Sequence, residues 1–369
     1  MFNNLRELIL SMPTEKACVD YLAKQRWADG KAVCPYCQHP KCYVIEGGER
    51  YKCASKECYK RFKITVGTIF EASNIPLSKW FTAIYLVTAH KKGISSYQLG
   101  KDISVTQKSA WFMLHRIREV MRVKSPVTLG IDKPVEADEM YVGGSISNKH
   151  ISKRKKYAEN PALMNNKTTV LGMIERDGQL VTKVMKGFIP DEVQKTITDT
   201  IQKDARLITD ASNLYNKMSE TYNHEFVNHA ANEYIRGNTY TNTIEGAFSH
   251  FKRMVYGIYH QISPKHTQRY CDEFSHRFNT RKLKDADRFS LSLKQIECRL
   301  RYTQLINVST EGYAAYASTT ILQFKDGEVI NTFTSIKEAA RLTGIDRRGI
   351  SRAANGKSKK AGGFNWTFA

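Results

Sequence analysis

No run of roughly eighteen uninterrupted apolar residues occurs anywhere in the chain, so the sequence excludes an ordinary membrane-spanning helix. The opening stretch MFNNLRELILSMPTEKAC has no basic start, no long apolar core and no cleavage motif, so it does not read as an export signal. Acid is also in short supply. Thirty-six Asp and Glu face 57 Lys and Arg among 369 residues, a formal charge of +21. Negative charge would serve solubility equally well, so this excess points to a polyanion, and nucleic acid is the expected partner. A soluble intracellular protein is expected, with no membrane partner and room for two or three domains.

Paired cysteines are absent outside one region. Cys18, Cys42, Cys271 and Cys298 show no paired spacing, which with the missing export signal argues against a disulfide framework. The other four form two pairs, Cys34-Pro-Tyr-Cys37 and Cys53-Ala-Ser-Lys-Glu-Cys58, separated by a segment that reads as a hairpin turning at Gly47-Gly48. Four thiolates on two knuckles suit tetrahedral Zn²⁺ and leave no open position for water, so one structural zinc is expected in a ribbon over residues 31–66. The second knuckle is wide, which keeps Cys42 and His39 open as substitute ligands. Residues 1–30 before it read as a helical segment.

Residues 76–123 carry a trihelical pattern. Pro76 starts a helix rich in Phe81, Ile84 and Val87, Ser95 and Ser96 cap a second, and Thr106 opens a third whose stripe is Trp111, Leu114, Ile117 and Val120 or Met121. This resembles a helix-turn-helix, in which Thr106, Gln107 and Lys108 face a major groove. The alternative is a helical spacer.

From residue 132 the pattern changes to strands over 135–142, 168–176 and 179–187, with the ERDG turn between the last two. A helix from about 190 to 203 follows, then a strand ending at Asp210, a helix over 213–221, the strand HEFVNHA and a helix carrying Glu245. This order is that of the ribonuclease H-like fold, the retroviral integrase superfamily. Asp138 and Asp210 close apolar runs, and such acids suit hard divalent cations. Alternation places Glu136 and Asp138 on one face of their strand and Glu139 on the other, which keeps Glu136 open as an alternative ligand. Asn242-Thr-Ile-Glu245 also fits a capping box, in which Glu245 is structural and Asn242 substitutes as ligand.

The strings VEADEMYVGG, NHAANEYIRGNTYTNTIEGAFSHFKRMVYGIYH and KHTQRYCDEFSHRFNTR resemble insertion-sequence DDE transposases of the ISXO-two-like type, over roughly residues 15–305. The resemblance implies a catalytic domain over 132–306 whose triad is Asp138, Asp210 and Glu245. It implies two Mg²⁺ or Mn²⁺ ions, double-stranded DNA as partner, hydrolysis at each element end, attack of the freed 3′-hydroxyl on target DNA, a dimer or larger synaptic assembly, and a place in the bacterial cytoplasm, associated with the nucleoid through DNA. Lys153, Arg154, Lys155 and Lys156 after the first strand, and Lys252 and Arg253 beyond Glu245, are candidate phosphate contacts. A non-catalytic DNA-binding regulator and a nuclease without strand transfer are the competing readings.

Residues 264–306 read as two closing helices, and residues 307–318 as a small, polar linker. Residues 319–369 then alternate as a hairpin and continue into two short helices, a basic loop and a closing strand. This resembles the helix-turn-helix modules appended to homing endonucleases, which implies that Arg347, Arg348 and Arg352 face DNA, with Lys357, Lys359 and Lys360 near phosphate. The whole is expected to be a multidomain α/β protein: zinc ribbon, helix-turn-helix, ribonuclease H-like domain and C-terminal helix-turn-helix module.

Overall fold

The computed structural model describes residues 2–122, 127–143, 150–152, 154–155, 167–185, 189–306, 321–325, 328–333, 336–354, 358 and 360–368. The expected linker 307–318 and the candidate contacts Lys153, Lys156, Lys357 and Lys359 lie outside the described residues. The chain forms one unit ending at Ser309 and a second beginning at Thr310.

Helices α1 (Leu5–Ser11) and α2 (Glu15–Arg26) start on Asn4 and Thr14, whose side chains accept the amides of Glu7 and Ala17. Strands β1 (Cys42–Ile45), β2 (Arg50–Cys53) and β3 (Arg61–Lys63) form an antiparallel ribbon. The trihelical segment follows as α3 (Leu77–Ala89), α4 (Ser96–Asp102) and α5 (Gln107–Met121), with Ser95 and Thr106 capping the last two. Ala110, Met113, Leu114, Ile117, Val120 and Met121 form the buried face of α5. Trp111, expected in that stripe, is only half-buried and sets its edge against His115 and His266.

The second half of this unit is a sheet. Strand β4 (Val135–Val142) pairs antiparallel with β5 (Thr168–Glu175), and β5 with β6 (Leu180–Val184). After α6 (Pro190–Thr198), β7 (Arg206–Asp210) joins the other side of β4 in parallel, and β8 (Asn223–Val227) extends it. The order is therefore β6-β5-β4-β7-β8, with β4 at the centre. All of β5 except its last residue is buried, which is why TTVLGMIE reads as a continuous apolar run rather than an alternating one. Residues 213–221, expected as a helix, form two short 3₁₀ turns, Asn213–Tyr215 and Met218–Glu220. Tyr215, Met218 and Tyr222 all enter the core on that face.

The other face of the sheet is covered by α7 (Asn242–Met254) and α8 (Thr267–Asn279). The second closing helix departs from expectation. It runs only through α9 (Asp285–Lys294), and a short α10 (Tyr302–Ile306) follows a break. In that break Ile296 and Leu300 are buried, and the Ile296 carbonyl accepts the Ile69 amide at 3.1 Å. Phe289 of α9 packs among Phe2, Phe81 and Tyr85, so α9 completes the core of the N-terminal helices and not that of the sheet.

A buried ionic network ties α5 to α8. Glu273 is fully buried and accepts from Arg118 Nε at 2.7 Å, Arg277 Nη2 at 2.6 Å and the Tyr259 hydroxyl at 2.7 Å. The Arg118 guanidinium lies 4.0 Å from the centre of the Tyr270 ring. Burial opposes its charge, but the Arg118 and Arg277 guanidiniums hold the Glu273 carboxyl down at about 2. Removing this acid strands two cations, so Glu273→Ala is expected to cost about 3–5 kcal/mol in urea unfolding. Because the folded pKa is depressed, the contribution of Glu273 is present above its unfolded pKa, about 4.3, and is lost as pH falls through about 2. A variant within 1 kcal/mol of the parent would contradict the network.

In the second unit, β9 (Ile321–Lys325) lies between β10 (Glu328–Phe333) and the closing strand β11 (Asn365–Phe368). Helices α11 (Ile336–Thr343) and α12 (Arg347–Ala354) cover it, and Ile321, Phe333, Ala339, Ile350 and Trp366 form its core. Arg347, Arg348 and Arg352 are exposed on α12.

Candidate active site

The centre of the site is the middle of β4. Alternation sends Val135 and Ala137 to one apolar cluster and Met140 and Val142 to the other. Asp138 shares the second face with Glu136, while Glu139 turns to the first, where the Tyr215 hydroxyl donates to it. Opposite Asp138 in register is Gly172 of β5. A Cβ there would lie 2.6 Å from Phe248 and 2.9 Å from Ile244, so the missing side chain is what lets α7 sit down on the sheet beside Asp138. Gly172→Ala is expected to cost about 1–3 kcal/mol by overpacking and to lower activity by shifting the helix that carries Glu245. Gly246, one residue beyond Glu245, has open space at its Cβ position, and Gly246→Ala is expected to stabilise by about 0.5–1 kcal/mol. Denaturant titration of the two variants checks both signs.

Glu136 has another task. Its side chain is fully buried, and its Oε2 accepts the amides of Thr243 at 2.9 Å and Ile244 at 3.0 Å, the orphan donors of the first turn of α7. Its Oε1 accepts Arg176 Nε at 2.7 Å and Thr243 Oγ1 at 2.9 Å. Both oxygens are thus committed, and the alternative that made Glu136 a cation ligand is corrected: it caps a helix from a distant strand. The capping box within 242–245 does not form either. Asn242 is the first helical residue and is exposed, and Glu245 Oε1 instead accepts the Thr241 hydroxyl at 2.9 Å.

Asp138, Asp210 and Glu245 lie in one electrostatic field. Burial pushes the Asp138 carboxyl up to about 6, with the charges of Asp210 and Glu245 adding to the rise and the Glu139 amide, 2.7 Å from Oδ1, opposing it. Burial likewise raises Asp210, at the end of β7. Glu139 is pushed up to about 7, by burial first and then by the charges of the two aspartates. The Asp210 Oδ1 atom is buried without a hydrogen-bond partner. Crowded carboxylates with raised pKa values and an orphaned oxygen are the chemistry a divalent cation relieves, so the donor set fits one. Among the described residues, these acids do not close to within 4.8 Å of one another, which only the four paired cysteines do. Ligands of a two-ion centre span more than a single coordination shell, because the ions themselves stand about 3.5–4 Å apart.

One member of the cluster was not singled out by sequence. His229 sits on a 3₁₀ turn after β8, with its Nε2 at 3.5 Å from Glu245 Oε1 and 3.4 Å from Thr241 Oγ1. When protonated, it pulls the carboxyls of both Asp138 and Asp210 down. His224, before it on β8, is satisfied by the Thr209 hydroxyl at 2.9 Å.

Far along the chain, Cys34, Cys37, Cys53 and Cys58 bring their sulfurs together. The pairs Cys34–Cys58 and Cys37–Cys53 stand at 3.8 and 3.5 Å. A tetrahedron of Zn–S bonds of about 2.3 Å has edges of about 3.8 Å, so four free thiols at this spacing fit a structural zinc. Gln38 and Tyr59, directly after the second cysteine of each pair, take the positive φ values of a knuckle turn, 59° and 50°. Cys42 is only a strand neighbour of Cys53, not a member of the four.

The region 130–279, which holds the acidic cluster, matches the ISXO2-like transposase domain. The chain's central region is thus similar to the ISXO2-like transposase domain. Residues 13–61 match the transposase zinc-ribbon domain and residues 325–354 the NUMOD1 domain. An uncharacterized protein in transposable element ISH50 of Halobacterium salinarum is 27% identical over 266 residues, 67% of this chain and 85% of that one. No solved structure matches. Around the transposase domain, the candidate DNA contacts Thr106, Gln107, Lys108, Arg154, Lys155, Lys252 and Arg253 are all exposed. Thr106 also caps α5, and Gln107 Nε2 donates to Ser96 Oγ at 2.8 Å. No described helix is long and apolar enough to cross a membrane.

Proposed function

We propose that this protein binds the ends of its own insertion sequence, cleaves them and joins the 3′-hydroxyl ends to target DNA by divalent-cation-dependent phosphoryl transfer. The observation that carries this reading is the field shared by Asp138, Asp210 and Glu245 inside a domain matched by a transposase family. A sheet ordered β6-β5-β4-β7-β8, three antiparallel strands followed by two parallel ones, supports a ribonuclease H-like fold for that domain.

In this reading Asp138 holds cations from the middle of β4 and Asp210 from the end of β7, and Glu245 adds its carboxylate from the first turn of α7. When bound, the cations supply Lewis-acid chemistry at the scissile phosphate. Lys252 and Arg253, exposed two turns beyond Glu245, meet the DNA backbone. The exposed first turn of α5 reads the element's ends, and the C-terminal module adds target preference through Arg347, Arg348 and Arg352. A homodimer or larger assembly brings two ends together. Deleting residues 319–369 is therefore expected to change the distribution of insertion sites, as read by sequencing products from a plasmid target.

Incubation with Mg²⁺, labelled end DNA and a plasmid separates this function from its competitors. Joined product is expected. Cut but unjoined DNA would identify a nuclease, and bound, intact DNA a regulator.

A further inference from the structure

Two polar atoms of the acidic cluster are buried without a partner: Asp210 Oδ1 and His229 Nδ1. The other nitrogen of His229 is occupied, since Nε2 stands 3.5 Å from Glu245 Oε1 and 3.4 Å from Thr241 Oγ1. A neutral imidazole carries one proton, and a carboxylate beside Nε2 draws that proton to Nε2. The lone pair is then left on Nδ1, buried and unpaired. An unmet buried acceptor costs about 1–3 kcal/mol, and this cluster carries one on each of two neighbouring residues. A carboxylate that orients an imidazole through one nitrogen while the other faces a cation is a recurrent way to aim a histidine ligand.

We infer that His229 is a further ligand of the active site, giving its Nδ1 to a cation held by Asp138 or Asp210, with Glu245 and Thr241 fixing the imidazole through Nε2. The inference rests on the cation-binding reading of the acidic triad and deepens it. Its chemical consequence is a mixed oxygen and nitrogen site. Imidazole suits the first-row transition metals better than Mg²⁺, so the site favours Mn²⁺ over Mg²⁺ beyond what carboxylates alone would produce.

Pulsed electron paramagnetic resonance on the full-length, zinc-loaded protein with added Mn²⁺ tests this. A ¹⁴N coupling to bound Mn²⁺ is expected, converted to ¹⁵N coupling when the protein is grown on ¹⁵N-histidine. It should vanish in His229→Gln, with Mn²⁺ affinity falling about tenfold or more. If that variant fails to fold, the isotope-labelled parent alone decides. Mn²⁺ binding that is lost in Asp138→Asn but shows no histidine nitrogen would overturn the role of His229 and leave the carboxylate reading standing. Coupling that survives in His229→Gln would do the same. Mn²⁺ binding indifferent to Asp138→Asn would overturn both.

Discussion

Asp138→Asn is expected to lower end cleavage by roughly 10³-fold, leave binding of end DNA intact and raise the melting temperature of the protein in the absence of added divalent cation. The three outcomes have one cause. Asp138 is held as a carboxylate in a half-buried position beside Asp210 and Glu245, and its pKa is pushed up to about 6. Catalysis by resident cations is worth several kcal/mol of barrier, and each 1.36 kcal/mol is tenfold in rate, so loss of a central ligand reaches the stated order. Asparagine keeps the shape and removes the charge, so the exposed residues of α5 and α7 proposed to meet DNA are untouched.

The stability effect follows from the sign of the shift. A carboxyl whose folded pKa lies above its unfolded value binds protons more tightly in the folded state, so its contribution is fully present below about pH 4 and is lost as pH rises through about 6. At pH 7.5 the uncompensated charge costs on the order of 1–3 kcal/mol, and asparagine does not carry it. Thermal melts without added Mg²⁺ are therefore expected to show Asp138→Asn a few degrees above the parent at pH 7.5 and level with it near pH 4. Added Mg²⁺ is expected to close the gap by stabilising only the parent. Retained Mg²⁺-dependent nicking, or a variant that melts well below the parent at pH 7.5, would remove Asp138 from the centre of the site.

What was legible in the sequence depended on how locally it was encoded. Strand β4 was read to its residue bounds, Val135–Val142, and Asp138 and Glu139 separate by simple alternation. The hairpin between β5 and β6 was legible from Asp177-Gly178, and Asp177 takes a φ of 57°. Nothing local announced Glu136. The amides it caps belong to Thr243 and Ile244, more than a hundred positions away, and the string Asn242-Thr-Ile-Glu245 offered a self-contained capping motif that the fold did not use. His229 was hidden for a related reason, because an irregular turn after β8 delivers it and no period predicts where such a side chain points. The place of α9 was equally out of reach, since Phe289 finds its aromatic partners at Phe2, Phe81 and Tyr85, far back along the chain.

Removing zinc is expected to have the other large effect, and it reaches beyond the ribbon. Structural zinc contributes about 10–16 kcal/mol in isolated finger peptides, far more than three short strands recover by burying side chains. Here Cys34 and Cys53 are fully buried in the same apolar cluster as Leu22 of α2, Trp80 of α3 and Phe289 of α9. Trp27 packs at 4.9 Å against Tyr51 of β2, and Arg26 Nη1 donates to the Ile64 carbonyl at 2.5 Å, so the ribbon is joined to the helices that carry the proposed end-reading turn of α5. Treatment with a strong chelator is expected to release one zinc per chain, to make Cys34, Cys37, Cys53 and Cys58 reactive towards a thiol reagent, and to change Trp27 fluorescence. End-DNA binding should fall with them, while Cys271, buried in the separate cluster between the sheet and α8, stays unreactive until the whole unit unfolds. Cys53→Ser should reproduce the chelated state, because a hydroxyl does not replace a buried thiolate at a zinc. Full end binding and unchanged thiol reactivity after complete zinc release would mean that packing alone, without the metal, holds the knuckles together.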